Sequence, residues 1–189
     1  MMSLFLHICT GLGLALAAGI RPFTPALAAG GLASADALFD FRGTHYAFLQ
    51  SGRFLLVVAV LFVVCAILKP HLVRELVAIA GIGLGGLLFA AVLGAHHDAA
   101  WPGLVAGALA AALAHATSRP VLDGARERLS DGRARFAVSL YADTAALLLA
   151  VACWFAGPLA LVALAFFGRL GWAQRGRAQA RVEGLRVLR

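Results

Sequence analysis

Few side chains in this 189-residue sequence could carry chemistry, and most of those stand in apolar surroundings. Asp143 is the sharpest case. It is the one charge in "FAVSLYADTAALLLAVACWF", residues 136–155. A lone carboxylate at a helix centre costs about 2.5–3.5 kcal/mol to place in a bilayer, so such groups face a bundle interior and take a partner. The chemistry they serve is proton or ion coupling, or pairing with a cation that pins two helices. Arg21 is the natural counter-charge. It stands in "AAGIRPFTP", residues 17–25, where a guanidinium and a proline end a stretch otherwise suited to lipid. Arg21 near a span end could instead snorkel to water. Thr24 and Pro25 follow Pro22 in a turn with few backbone partners. Ser139, four positions before Asp143, shares its helical face, and Tyr141 and Thr144 are near it in sequence.

The Arg-Pro pair recurs as Arg119-Pro120, ninety-eight positions on, with His115 one turn before it in "LAAALAHATS". The residues expected to line a substrate or ion path are therefore Arg21, Pro22, Thr24, Pro25, His115, Arg119, Ser139, Tyr141, Asp143 and Thr144. His7 and His115 also fit the plainer role of packed histidines. His96, His97 and Asp98 are adjacent, so their side chains diverge, and no further ligand cluster accompanies them. Cys9, Cys65 and Cys153 lie in apolar runs without metal-ligand spacing and read as packing residues. No Ser/His, His/Asp or metal constellation stands at catalytic spacing, so no enzyme chemistry, no metal and no cofactor is expected.

The elements that must position these groups are membrane spans. The chain is 62% hydrophobic and 13% charged, with a mean hydropathy of +0.90. Soluble domains carry about twice that share of charge. Six apolar runs, about 2–20, 54–68, 76–95, 102–118, 136–155 and 157–172, approach the roughly 20 residues that cross a ~30 Å hydrocarbon core. The fold expected is all-α, a polytopic membrane protein of six transmembrane helices with short broken or re-entrant helices. Residues 1–173 form one membrane domain, with halves of about 1–98 and 99–173, and 174–189 form a basic tail. The N-terminal run lacks the positive flank of a cleaved signal peptide and reads as a retained first span.

With six crossings and both termini in the cytoplasm, Lys69, Arg74, Arg119, Arg126, Arg128, Arg133, Arg135, Arg169, Arg175, Arg177, Arg181, Arg186 and Arg189 lie inside. That is thirteen of the sixteen Lys and Arg residues, as the positive-inside rule asks. The expected location is the cell (inner) membrane, multi-pass. Trp101, Trp154 and Trp172 stand at span ends, where amphipathic rings are favoured. The tail "RGRAQARVEGLRVLR" suits contact with anionic lipids, and the net charge of +7 is accounted for in that way without nucleic acid.

Two spans that each run into an Arg-Pro break suggest two halves of three spans, inverted relative to one another, a plan recurrent in secondary transporters. Residues 23–39 would dip into the membrane or lie along it, and 120–130 would do the same at the other face. Gly81/Gly85 and Gly103/Gly107 are four apart, which permits close helix approach within the chain or in a homo-oligomer. "IGLGG", 82–86, lacks the preceding strand of a nucleotide loop.

The stretch "GLGLALAAGIRPFTPALAAGGLA", 11–33, resembles the opening of a widespread bacterial membrane family catalogued only as a domain of unknown function. "RFLLVVAVLFVVCAILK", 53–69, and "AVSLYADTAALLLA", 137–150, are similar to later spans of it. The resemblance carries over to Gly19, Arg21, Pro22, Phe23, Ser139 and Asp143, while Ala142 stands where a further acid often occurs. It implies the architecture and brings no activity. The function expected is a small permease or translocator with a path near Arg21-Pro22 and Asp143. A non-transporting scaffold or assembly subunit is the alternative, and an intramembrane lipid-modifying enzyme ranks third.

Overall fold

The computed structural model describes residues 2–34, 41, 44–68, 70–96 and 98–187, with side chains for all of these except 2–3, 70–74 and 177–187. Among the described residues the elements are helices: α1 (Met2–Ile20), α2 (Phe23–Ser34), α3 (Gly52–Ile67), α4 (Pro70–Ala95), α5 (Ala100–Glu127), α6 (Gly132–Phe155) and α7 (Leu159–Val187), with a short 3-10 turn at Ala47–Gln50. Glu75–Ala95, α5 and α6 are long and apolar enough to cross a membrane, and Leu4–Ile20 and Gly52–Ile67 are shorter apolar helices. The outer surface is apolar as well, with Leu56, Ile79, Leu109, Leu148 and Val162 all exposed. A surface of that kind suits acyl chains, where helices also satisfy their own backbone groups. The chain is a polytopic helical membrane protein.

α1 is the axle of the bundle. Residues 9–19 are buried on every side, as expected of a helix apolar all round, and α2, α4, α5, α6 and α7 all pack on it. Its small residues permit that crowding. A Cβ at Gly11 would strike the Phe89 ring, and one at Gly19 the Ala111 carbonyl. The one hydroxyl in this segment, Thr10, donates back to the Leu6 carbonyl at 2.9 Å, which satisfies it without a partner helix.

Neighbouring contacts fix the helix directions. Gly85 faces Ala15 and Ala111, and Phe89 faces Gly11 and Gly107, so α4 runs against α1 while α5 runs with it. Gly13 meets Cys153 and Ala160, Gly157 meets Leu6 and Cys9, and Gly171 meets Thr117. α7 therefore also runs with α1. α2 turns back alongside α1. Phe23 packs edge-on against Phe62 with ring centroids 6.3 Å apart, Gly30 abuts Leu49 and Leu55, and Ala28 and Leu32 share a cleft with Leu14 and Trp154.

That returning helix changes the parity of the chain. At twelve residues it rises only about 18 Å, too little to register as a span by hydropathy. With it counted, α1 begins at one end of the bundle and α7 finishes at the other. The inverted three-plus-three repeat does not hold: α1 and α5, the leading spans of the two halves, point the same way. Of the expected re-entrant segment 23–39, residues 23–34 are α2, and 35–39 lie outside the described residues.

The second Arg-Pro pair does not break its helix. Pro22 ends α1, whereas Pro120 sits inside α5, which continues to Glu127, so 120–130 is no separate re-entrant piece. Proline removes one backbone hydrogen bond and crowds the carbonyl four residues back. Here that carbonyl belongs to Ala116, on an exposed face. Neighbouring groups brace the turn: Gln174 Nε2 donates to the Thr117 carbonyl at 2.9 Å, and Arg119 reaches Asp123 across the proline at 3.8 Å. Such bracing is what allows proline inside membrane helices.

The paired glycines are spent inside the chain. Gly107 meets Gly85, Gly86 and Phe89, and Gly103 meets Leu93 and Ala90. Gly85, Gly103 and Gly107 line the α4–α5 seam, while Gly81 faces Ala18 of α1.

Candidate functional site

The break at Pro22 is a local consequence of sequence. Arg21 still donates its backbone N–H to the Ala17 carbonyl at 3.0 Å, and a residue before proline is pushed toward extended geometry. Pro22 lacks an N–H, α1 stops, and α2 restarts at Phe23. Pro25 falls in the first turn of α2, where a missing N–H costs nothing. Arg21 is thereby left at the corner between two helices, its side chain directed at α6.

There it meets Asp143. Arg21 Nε lies 3.4 Å from Asp143 Oδ1, with the two side chains 22% and 18% exposed. Arg21 Nη2 donates to the Ser139 carbonyl at 3.4 Å. Ser139 Oγ in turn accepts from Arg126 Nη2 at 2.6 Å. Arg126 Nη1 stands 3.9 Å from Asp123 Oδ1, Asp123 Oδ2 stands 3.8 Å from Arg119 Nε, and Arg119 Nη1 stands 3.4 Å from His115 Nε2. A continuous polar string thus runs from Asp143 on α6 through the α1–α2 corner to His115 on α5. Three guanidiniums against two carboxylates leave it one net positive charge.

Two polar atoms here are buried without a hydrogen-bond partner, Arg21 Nε and Thr24 Oγ1. Nε has the Coulombic attraction of Asp143 without an aligned hydrogen bond. Buried polar atoms are nearly always satisfied, so two orphans three residues apart mark this corner as unusual.

The structure brings together Arg21, Ser139, Asp143, Arg119 and His115, with Pro22, Thr24 and Pro25 forming the corner. Tyr141 is 76% exposed, and Thr144, also exposed, donates to its own helix at the Leu140 carbonyl, 2.9 Å away. Both point from α6 toward lipid and leave the expected site. At 100° per residue, two positions before Asp143 and one after it fall on other faces, whereas four before it does not. Arg126 and Asp123 are additions. The i, i+4, i+7 spacing of Arg119, Asp123 and Arg126 is a visible sign of a shared face, but the expectation of a separate re-entrant or interfacial piece at 120–130 detaches it from the site.

Farther along α2 and α6 lies a small apolar cleft, with a volume of about 20 Å³. It is lined by Leu14, Ala28, Ala29, Leu32, Ala150, Val151, Trp154 and Phe155. Helical spacing puts Thr24 on the face of Ala28 and Leu32, and Asp143 on the face of Ala150 and Trp154.

The other polar group lies at the opposite end of the bundle. The His7 and His96 rings stack with centroids 3.4 Å apart, and His7 Nδ1 stands 3.4 Å from Asp98 Oδ2. His96 Nδ1 lies 2.8 Å from the Val92 carbonyl, and His97 lies outside the described residues. Among the described residues no three His, Cys, Asp or Glu side chains are grouped as metal ligands. Cys9 and Cys153 are buried in the central core, in line with a packing role.

A family model described as a domain of unknown function (DUF4126) matches residues 8–175. No curated protein and no solved structure matches the chain.

Proposed function

We propose, for a chain that belongs to the DUF4126 family of domains of unknown function, that it is a small translocator of the cell membrane whose path passes the Arg21-Pro22 corner and Asp143. One observation carries this reading: an ion pair inside the bundle that ties a broken helix to the middle of α6. A pair placed only to fasten two helices does not require a proline break or an adjoining short helix that turns back into the bundle. Discontinuous helices at a polar centre are the recurrent means by which membrane proteins expose backbone and charge to a cargo.

In this reading the Arg21–Asp143 contact is the closed state. Swinging the α1–α2 corner away from α6 parts the two charges and offers the guanidinium to an anion. The separated charges are unfavourable in a low dielectric, so the cargo's own negative charge compensates Asp143's departure. Arg126, held by Ser139 and Asp123, keeps the local potential positive throughout.

Orientation follows from charge. Arg119, Arg126, Arg128, Arg133 and Arg135 all stand in or around the α5–α6 connection, while the α4–α5 and α6–α7 connections carry no Lys or Arg. The positive-inside rule places the arginine-rich end in the cytoplasm. With the helix directions described above, the C-terminal end of α7 then faces the cytoplasm and the start of α1 the opposite side.

The test is flux into reconstituted vesicles of inorganic phosphate, a short carboxylate and a fluorescent anionic lipid. Wild-type protein should accelerate at least one over empty vesicles, and Asp143→Asn should alter that rate. Absence of any flux, together with loss of stability or partner yield in Asp143→Asn, would favour a scaffold instead.

A further inference from the structure

We infer that the exposed face of α7 binds an anionic glycerophospholipid of the leaflet at the arginine-rich end of the bundle, its phosphate on Arg169 and Arg175 and its acyl chains against Phe166 and Val162. The inference is independent of the translocator reading and involves neither Arg21 nor Asp143.

Helical spacing sets the face. Val162, Ala165, Phe166, Arg169, Trp172 and Ala173 are all exposed, and they recur at three- and four-residue intervals along one side of α7. Ala160 and Phe167, on the other side, are buried in the central core, and Gly171 meets Thr117 on α5.

Arg169 stands within this apolar face, at a depth the neighbouring helix fixes. Trp101, exposed at the start of α5, marks the interface at the opposite end of the bundle, where amphipathic rings are favoured. Thr117 is about 24 Å further along α5 at 1.5 Å per residue. Arg169 comes two residues before Gly171, on a helix that runs the same way, so it lies about 21 Å from the Trp101 level. That is short of the far edge of a ~30 Å hydrocarbon core. Side chains lean toward the N-terminus of their helix, here toward the hydrocarbon, so Arg169 reaches water only against its own direction. Arg175, nearer the headgroups, leans back toward it.

Both arginines are exposed, and among the described residues neither has a hydrogen bond or ion pair. The arginines of the polar string all have partners within the chain. A charge facing acyl chains is costly, and a lipid phosphate drawn to this depth supplies the acceptors that a guanidinium fork pairs with best. Trp172, 82% exposed, falls between the two arginines, with its ring at the level of the glycerol. Other occupants fit the face less well. A zwitterionic lipid brings an ammonium that competes with the guanidiniums for its own phosphate. A second copy in two-fold contact would set arginine against arginine, because residues 159–176 contain no Asp or Glu.

The experiment places the full-length protein in phosphatidylcholine vesicles, with Trp101→Phe and Trp154→Phe so that Trp172 alone reports. It measures quenching of Trp172 by brominated phosphatidylglycerol and by brominated phosphatidylcholine. Phosphatidylglycerol should be preferred at least five-fold, about the usual worth of one basic residue at an anionic surface. Arg169→Gln should remove most of that preference and Arg175→Gln part of it. Arg133→Gln, which changes an exposed arginine of α6, should leave it intact. Equal quenching by the two lipids, or a preference that survives Arg169→Gln in a protein folded by circular dichroism, would overturn the site. So would an equal loss in Arg133→Gln, the mark of diffuse attraction to the positive end. Trp172 left unquenched by both lipids would mean that a second copy covers the face, which also overturns it.

Discussion

Arg21 and Asp143 face each other at 3.4 Å from opposite sides of a helix break, one on the corner after α1 and the other mid-way along α6. Every other member of the polar string is reached through these two helices or through α5, so this contact joins the first part of the chain to the last.

Removing either charge should destabilise the protein more than removing both. Loss of one member of a fully buried pair costs on the order of 3–5 kcal/mol. About a fifth of each side chain is exposed, which reduces the expectation to about 1–3 kcal/mol. Arg21→Met with Asp143→Leu should recover part of it. Thermal melts of the two single variants and the double variant in detergent give the coupling directly, and strictly additive losses would argue against a working pair.

The α4–α5 seam should be intolerant at Gly85 and tolerant two residues away. A Cβ at Gly85 would stand 2.5 Å from Ala111 Cβ, whereas Gly83 has nothing within 4 Å. Gly85→Val should cost about 1–3 kcal/mol through overpacking. Gly83→Ala should be neutral or stabilise by up to about 1 kcal/mol, since alanine favours helix. Melting temperatures of the two variants test the contrast.

The two prolines should behave oppositely. Pro120→Ala restores a backbone hydrogen bond in a helix that is already continuous, and should raise the melting temperature. Pro22→Ala allows α1 to extend past its corner, which moves Arg21 off Asp143. The thermodynamic coupling between those two residues should then fall toward zero in the Pro22→Ala background, while it persists in Pro120→Ala.

A single pair of labelling sites tests the parity of the chain. Ala99 and Ser130 are both exposed, one in the α4–α5 connection and the other in the α5–α6 connection. Ser130→Cys should be shielded from an impermeant maleimide in intact cells and label after lysis, and Ala99→Cys should label in intact cells. A tag after the last residue should follow Ser130, and a tag before the first should follow Ala99. Tags at both termini that report the same side would contradict the helix directions.

Much of this was legible in the sequence, for identifiable reasons. Uncharged runs at membrane length gave the long helices, because lipid imposes a length and an apolar surface that hydropathy reads directly. The Arg21–Asp143 partnership could be anticipated because a charge in an apolar run demands compensation, and few candidates existed. Ser139 followed from helical spacing. Residues 23–34 were harder. Alanine and glycine are only weakly hydrophobic, so a short helix that packs against others rather than against lipid resembles a loop in composition, and overlooking it reverses the sidedness of everything before it. Pro120 shows the other limit: a dipeptide does not reveal whether Gln174 and Asp123 will brace the turn around it. Tyr141 and Thr144 were drawn in by sequence proximity, although a helix scatters adjacent residues round its circumference.

The position of α1 has a consequence for how the protein is made. It leaves the ribosome ahead of all six helices that come after it, yet it belongs at the centre, with the others as its walls. Until α6 has been synthesised, Arg21 has no Asp143 to answer it and Gly13 lacks Cys153 to pack on. The nascent chain must therefore hold its future core in a provisional place, at the membrane surface or against the insertion machinery, and assemble from the periphery inward. A polypeptide halted after α5 would present an arginine without its Asp143 and an uncovered Gly13 face, features that membrane quality-control proteases could use to recognise an unfinished product.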